Sequence, residues 1–346
     1  MAKTAVILFN LGGPDSQAAV RPFLFNLFND PAIIRLPQPL RYLLARLISS
    51  RRAPKAAQIY ARMGGRSPIL PETEAQAREL KRSLGSDDYR VLIAMRYWHP
   101  FASEAAREAL AWGADRVLLL PLYPQFSTTT TASSLKDWRR AAAKAGLDVP
   151  MAAIGCYPEE SGFIVAQTAL LRQALAAVEA EPAQRGPLRI LFSAHGLPKR
   201  VVLDGDPYQM QVERSVAAIL RQLNRPEIDS VICYQSRVGP LEWIGPSTEA
   251  EVARAAKDGC AIVVVPVAFV SEHSETLVEL DIEYAHLAMR AGAASYTRVP
   301  TVGTQPEFIV GLARLVRNAT NYDGDPVSGS GEKPCGNAWR RCTCAS

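Results

Sequence analysis

Short apolar runs alternate with longer amphipathic stretches along most of the chain, and this alternation constrains the fold more than any other feature. The runs 4–10 (TAVILFN), 89–96 (YRVLIAMR), 115–122 (DRVLLLPL), 188–194 (LRILFSA), 229–234 (DSVICY), 260–267 (CAIVVVPV) and 295–299 are rich in Val, Ile and Leu. Continuous apolar strands of this length belong to parallel sheets covered by helices on both faces. The stretches 72–84, 102–112, 160–179, 208–223, 248–257 and 305–318 have the apolar spacing of such helices. The expected fold class is therefore α/β, with two doubly wound, Rossmann-like lobes, parallel sheets and an active-site cleft between the lobes. A length of 346 residues suits two lobes better than one core. We assign residues 1–175 to an N-terminal lobe and 176–320 to a C-terminal lobe. The join lies near 170–187, where EAEPAQRGP breaks the pattern, and residues 321–346 form a linker and cysteine-rich tail.

Parallel sheets bind ligands beyond the carboxyl ends of their strands, so the strand exits are where chemistry is expected. They read FNLGGPD, AMRYWHP, LPLYPQFSTTTTASS, FSAHGLP, CYQSRVGP and PVAFVSEHSE. Gly12-Gly13-Pro14 opens neither a G-x-G-x-x-G fingerprint nor a Walker motif, so no nucleotide site is supported. The N-terminus runs straight into AVILFN without a signal peptide, and no run of 18 apolar residues is present. A cytoplasmic location is expected.

The formal net charge of +5 is concentrated in one segment. Residues 31–70 hold Arg35, Arg41, Arg46, Arg51, Arg52, Lys55, Arg62 and Arg66 and no acid, so the rest of the chain is slightly acidic. That is no nucleic-acid footprint, which would be a broad basic face. Ile33, Ile34, Leu36, Leu40, Leu43, Leu44, Leu47 and Ile48 interleave with these arginines to make an apolar basic lip over 31–66. Such a lip suits an anionic membrane surface, at about 1 kcal/mol per basic residue. It would equally clamp a planar apolar ligand bearing carboxylates, and a second copy of the chain could cover it in a homodimer.

Of four histidines, His195 stands out, ending a buried strand before a Gly and a helix-stopping Pro. His99 precedes Pro100 and suits a turn; His286 falls within a helix. The stretch FVSEHSETLVELDIEY (269–284) has five acids, His273 and no basic residue. On a helix, Glu272, Glu275, Glu279 and Glu283 form one ridge at spacings of 3, 4 and 4. Like charges repel at that spacing, so a ridge that handles protons or cations explains it better than a solvated face. Imidazole with carboxylate suits borderline divalent ions such as Fe²⁺. Without a fixed ligand spacing, transient handling is the expectation.

Cys233 and Cys260 lie in or beside apolar strands and read as packing residues. Cys335, Cys342 and Cys344 fall within ten residues, in CGNAWRRCTC. A reducing compartment argues against disulfides and for a metal or cluster, with Cys156, in an expected loop after a strand, as the fourth ligand. Zinc is the chemical competitor.

These motifs, in this order, resemble those of the ferrochelatases. The resemblance covers essentially the whole chain: LFNLGGPD, RRAPKAAQIYARMGGRSPI, AMRYWHP, LPLYPQFSTTTTASSL, FSAHGLPKRVVLDGDPY, YQSRVGPLEWIGP and FVSEHSETLVELDIEY. It implies a lyase that inserts Fe(II) into a porphyrin, protoporphyrin IX by preference and coproporphyrin III as the alternative, with release of two protons. A non-catalytic haem-binding or iron–sulfur sensor is a further alternative. The resemblance implies porphyrin contacts at Leu11, Tyr60, Arg96, Tyr97, Tyr123, Trp243 and the lip, with Arg52 and Ser67 at the propionates. His195 is expected to take protons or bind the metal, with Glu275 beside it and His273 in support. Glu272, Glu279 and Glu283 would carry protons out or iron in. The C-terminal cysteine spacing is similar to that of members carrying a [2Fe-2S] cluster, which implies Cys156, Cys335, Cys342 and Cys344 as its ligands. The lip implies peripheral contact with the inner membrane through residues 31–50.

Overall fold

The computed structural model describes residues 2–181, 186–237, 241–319, 324, 326–329, 335 and 339–345. Part of the expected join and most of the expected linker, residues 182–185 and 330–334 among them, lie outside the described residues. In the first sheet β1 (Thr4–Asn10) is buried along its whole length. It is flanked by β2 (Tyr89–Met95), β3 (Arg116–Pro121), β4 (Met151–Cys156) and the two-residue β9 (Val327–Ser328). The order is β2-β1-β3-β4-β9, and every pairing is parallel. In the second sheet β5 (Leu188–His195), β6 (Asp229–Gln235), β7 (Ala261–Pro266) and β8 (Ser295–Arg298) follow the order β6-β5-β7-β8, again all parallel. Each sheet therefore reverses its winding beside its own first strand, the place where parallel sheets hold ligands.

The helices of the first sheet are α1 (Val20–Phe28), α2 (Gln38–Ala61), α3 (Ile69–Leu84), α4 (Ala102–Trp112) and α5 (Thr131–Ala145). Leu119, Leu135 and Trp138 pack with Phe9 and Ala106 in its core. The basic lip is largely α2, one helix of 24 residues with Pro54 inside it. Its early prolines start it, Pro37 at the cap and Pro39 in the first turn, where a missing N–H costs nothing.

Around the second sheet lie α6 (Ser161–Ala180), α7 (Lys199–Leu203), α8 (Tyr208–Leu223) and α9 (Thr248–Lys257). A π-helix (Glu275–Tyr284), α10 (Ala285–Arg290) and α11 (Pro306–Ala319) follow. The chain divides into two units, Met1–Cys156 with Leu312–Gly336 and Cys342–Ser346, and Tyr157–Gly311 with Asn337–Arg341. Position 175 thus falls inside α6, which belongs to the second unit: Phe163 meets Phe308 of α11 at 6.1 Å, and Leu170, Leu171 and Leu175 are buried. Among the described residues α6 is the helix long and apolar enough to cross a membrane, and over half of it is buried within the protein.

Two elements differ from the sequence expectation. MAAIGC folds as β4, although Ala and Gly give it little strand propensity. Cys156 therefore ends a strand, paired with Ser328, and does not lie in a loop. The acidic stretch is a π-helix rather than an α-helix. Its i→i+5 bonding changes which side chains share a face, and π segments gather at functional sites.

Candidate active site

His195 is the last residue of β5 and its side chain is 37% exposed. Its Nδ1 lies 2.6 Å from the Gly196 carbonyl, which can only accept, so Nδ1 carries the proton and donates. In the neutral ring Nε2 is then the lone pair, and it lies 3.7 Å from Oε1 of Glu275. His273 repeats the arrangement: Nδ1 donates to the Ser271 carbonyl at 3.1 Å, and Nε2 lies 3.4 Å from Oε2 of Glu275. One carboxylate thus faces the Nε2 atoms of two imidazoles. Burial works against ionising Glu275, but the facing His195 and His273 outweigh it and hold its pKa at about 2. Burial likewise opposes charge on His273, yet the hydrogen bond and charge of Glu275 raise it above an ordinary imidazole. His273 therefore keeps its proton to higher pH, and the ionised Glu275 carboxylate stands where His195 can receive a proton. Trp243 lies beside this turn. A Cβ on Gly196 would stand 3.2 Å from the Trp243 ring, so the glycine admits the indole.

The carboxylate ridge is not uncompensated. Arg298 of β8 binds Glu272 at 2.9 Å and Asp281 through two bonds of 2.5 and 2.8 Å, and the Thr301 N–H donates to Glu272. Burial opposes charge on Glu272, but Arg298 and these donors lower its pKa. Glu279 accepts from the Ser236 N–H (2.8 Å) and Oγ (2.5 Å), from Gln235 Nε2 (3.1 Å) and from the Tyr284 hydroxyl (2.8 Å). These bonds anchor Glu272 and Glu279, so the expected row of four open carboxylates is not what forms. Glu275 faces the histidines and Glu283 is exposed. The donors escaped the sequence reading because they lie on other strands or across the turn of a π-helix.

Several expected porphyrin residues meet in the first unit. Leu11, Tyr60 and Tyr97 share one apolar cluster with Phe23, Leu24 and Ile33. Arg52 lies over the Phe28 ring at 5.6 Å. Arg96 is held by a group the sequence reading missed: Asp30 Oδ2 accepts from Arg96 (2.6 Å), the Tyr97 hydroxyl (2.9 Å) and Ser133 (2.7 Å). Asp30 Oδ1 accepts from the Ala32 N–H, so the same carboxylate ties the root of the lip to the exit of β2. Ser67 is buried, and a Cβ on Gly13 would come within 2.5 Å of its Oγ. It braces the Gly12-Gly13-Pro14 turn, its N–H donating to the Pro14 carbonyl at 2.8 Å. Tyr123 packs on the core with Trp138 and Leu135, and burial pushes its phenol up.

Cys156, Cys335, Cys342 and Cys344 are buried free thiols of the first unit. Cys342 interacts with Cys335 and Cys344, and Cys344 with Cys156. Among the described residues no three His, Cys, Asp or Glu groups enclose a single ion. Gly155 admits Cys344: a Cβ there would stand 2.2 Å from its Sγ. Four buried thiols, one of them against the missing Cβ of Gly155, fit a thiolate-held cluster in kind and number. The bond with Cys335 favours the Cys342 thiolate, but Cys344 and burial push its thiol up to about 12.

A family model described as Ferrochelatase matches residues 3–320. A ferrochelatase of Caulobacter vibrioides (strain NA1000 / CB15N) is 52% identical over 346 residues, covering 99% of this chain and 97% of that one. A ferrochelatase of Phenylobacterium zucineum is 51% identical, covering 99% and 98%. Among solved structures, the sirohydrochlorin chelatase SirB from Bacillus subtilis subspecies spizizenii, in complex with cobalt, matches with a TM-score of 0.54. It is 12% identical and covers 93% of this chain and 99% of that one, a likeness of fold.

Proposed function

The chain belongs to the ferrochelatase family, lyases that insert metal into porphyrin, and we propose that its porphyrin is protoporphyrin IX and that His195 takes the protons released. The observation that carries this reading is the placement of His195, its Nδ1 bonded to the Gly196 carbonyl and its Nε2 set 3.7 Å from Glu275. Insertion of Fe²⁺ displaces two N–H protons from the macrocycle. Each passes to Nε2, where the Glu275 carboxylate balances the new charge, and leaves to water at the exposed imidazole. His273, already paired with Glu275, orients the carboxylate. Leu11, Tyr60 and Tyr97 supply apolar surface to the macrocycle, with Tyr123 and Trp243 as further contacts. Arg96, and Arg52 and Ser67 at the propionates, supply its polar contacts. An anaerobic assay with Fe²⁺ and each porphyrin tests the substrate. We expect loss of porphyrin fluorescence and growth of haem absorbance, faster with protoporphyrin IX. Faster turnover of coproporphyrin III would overturn the choice.

The four thiols are assigned to a [2Fe-2S] cluster, which when bound would supply iron–sulfur bonds and a one-electron couple. Support comes from their number, their burial and the Gly155 cradle. Cations also reverse the cost of ionising such thiols. Protein as purified should absorb in the visible and contain two irons and two sulfides per chain. Colourless protein with stoichiometric zinc would contradict the assignment.

The lip is assigned to an anionic membrane surface on the cytoplasmic side. Leu40, Leu43 and Leu47 of α2 are 57, 63 and 47% exposed. Arg35, Arg46 and Arg51 accompany them, with no acid in the segment.

A further inference from the structure

We infer that Gln235, with Ser236 beside it, is a positioning residue that holds Glu275 against His195. Gln235 ends β6 and is 1% exposed. In the sheet it is the register partner of His195, and its carbonyl accepts from the Gly196 N–H at 2.8 Å. Gly196 is the residue whose own carbonyl fixes the His195 tautomer. The Gln235 side chain reaches the other half of the pair. Its Nε2 donates to the Glu275 carbonyl at 2.9 Å and to Glu279 Oε2 at 3.1 Å. Both partners can only accept, so the orientation of the amide is fixed, and its Oε1 accepts from Ser193 Oγ at 2.8 Å.

Ser236 completes the clamp. It has a positive φ of 61°, unusual for a residue with a Cβ. That conformation turns both its N–H and its Oγ onto the Glu279 carboxylate. Glu279 also accepts from Tyr284 at the far end of the π-helix. The clamp therefore grips the π-helix at its first residue, through a backbone oxygen, and again at Glu279. Two adjacent residues set the height and register of the segment that carries Glu275, while one of them is bonded to the turn that carries His195. Buried amides bonded at both ends are the supports that keep a reacting group within a fraction of an ångström.

The inference rests on the reading of His195 and Glu275 as the proton-taking pair, and the test separates the two. Gln235→Met removes the donors at similar length. The expected result is a fall in kcat of about 10- to 100-fold, with the porphyrin KM within about twofold. In a Glu275→Gln background the same change should cost less than about twofold more, because the carboxylate it positions is gone. An unchanged kcat, or an equal loss in both backgrounds, overturns the inference. Should Gln235→Met not fold, Ser236→Ala removes one donor to Glu279 and is expected to lower kcat about threefold or more at constant KM; an unchanged kcat there overturns it equally. Glu275→Gln turning over at the wild-type rate would instead overturn the reading of the pair and leave Gln235 without a group to position.

Discussion

The two sheets share a strand order about their first strands, yet they end those strands in opposite ways. In the first unit the last register pair of β1 and β2 is Asn10 with Met95; in the second the last pair of β5 and β6 is His195 with Gln235. Asn10 donates to Thr73 at 2.9 Å and accepts from the Leu11 N–H at 2.8 Å. His195 spends one nitrogen on Gly196 and turns the other toward a carboxylate 3.7 Å away. The carboxylates contrast in the same way. Asp30 takes donors from Arg96, Tyr97 and Ser133 on one oxygen. Among the described residues Glu275 faces two imidazoles, at 3.4 and 3.7 Å. The same topology thus gives one strand end whose side chain is hydrogen-bonded on both sides, and another whose imidazole faces a carboxylate without a hydrogen bond and is suited to chemistry. Natural proteins accept such local costs where a site must react.

The contrast can be broken by removing one carboxylate from each rim. Asp30→Ala leaves a mostly buried Arg96 with the neutral Ser133 hydroxyl at 2.8 Å and, among the described residues, the more distant carboxylate of Asp137 at 3.7 Å. Stability should fall by about 3–5 kcal/mol in denaturant unfolding. Glu275→Ala should cost less than this, because the donor it strands, His273, can lose its proton and stay neutral in the buried site, which a guanidinium cannot. Equal losses at the two positions would erase the distinction. A smaller effect sharpens it from the surface: Leu43→Glu on the lip should leave unfolding within about 0.5 kcal/mol of the parent. It should also weaken cosedimentation with anionic vesicles several-fold. Unchanged vesicle binding, or a dimer that the substitution dissociates, would remove the membrane assignment.

Much of this was legible in the sequence where the signal is local. Val- and Ile-rich runs marked most strands, and His195 was visible because a polar residue ends an apolar strand before Gly and Pro. What stayed hidden depends on residues distant in sequence. Asp30 meets Arg96 across 66 positions, and Arg298 meets Glu272 across 26, so the acidic ridge looked unneutralised when it is not. β4 was obscured by Ala and Gly, whose strand preference comes from the burial around them. The helical spacing of 269–284 carries no sign of the π-helix, so the expected face is not the one that forms, and Glu275 is turned to the two histidines. Gln235 stood inside a quoted motif, but a buried amide gives no local signal of what it will hold.

The most direct test of the account compares His195→Ala with Asn10→Ala in anaerobic single-turnover insertion of Fe²⁺ into protoporphyrin IX, with porphyrin affinity measured by fluorescence. His195→Ala should bind porphyrin within about twofold of the parent and insert iron about 100-fold more slowly or worse. Asn10→Ala should lose stability while keeping the rate of its folded fraction. Insertion by His195→Ala within a few-fold of the parent rate would contradict the assignment of proton transfer to this imidazole.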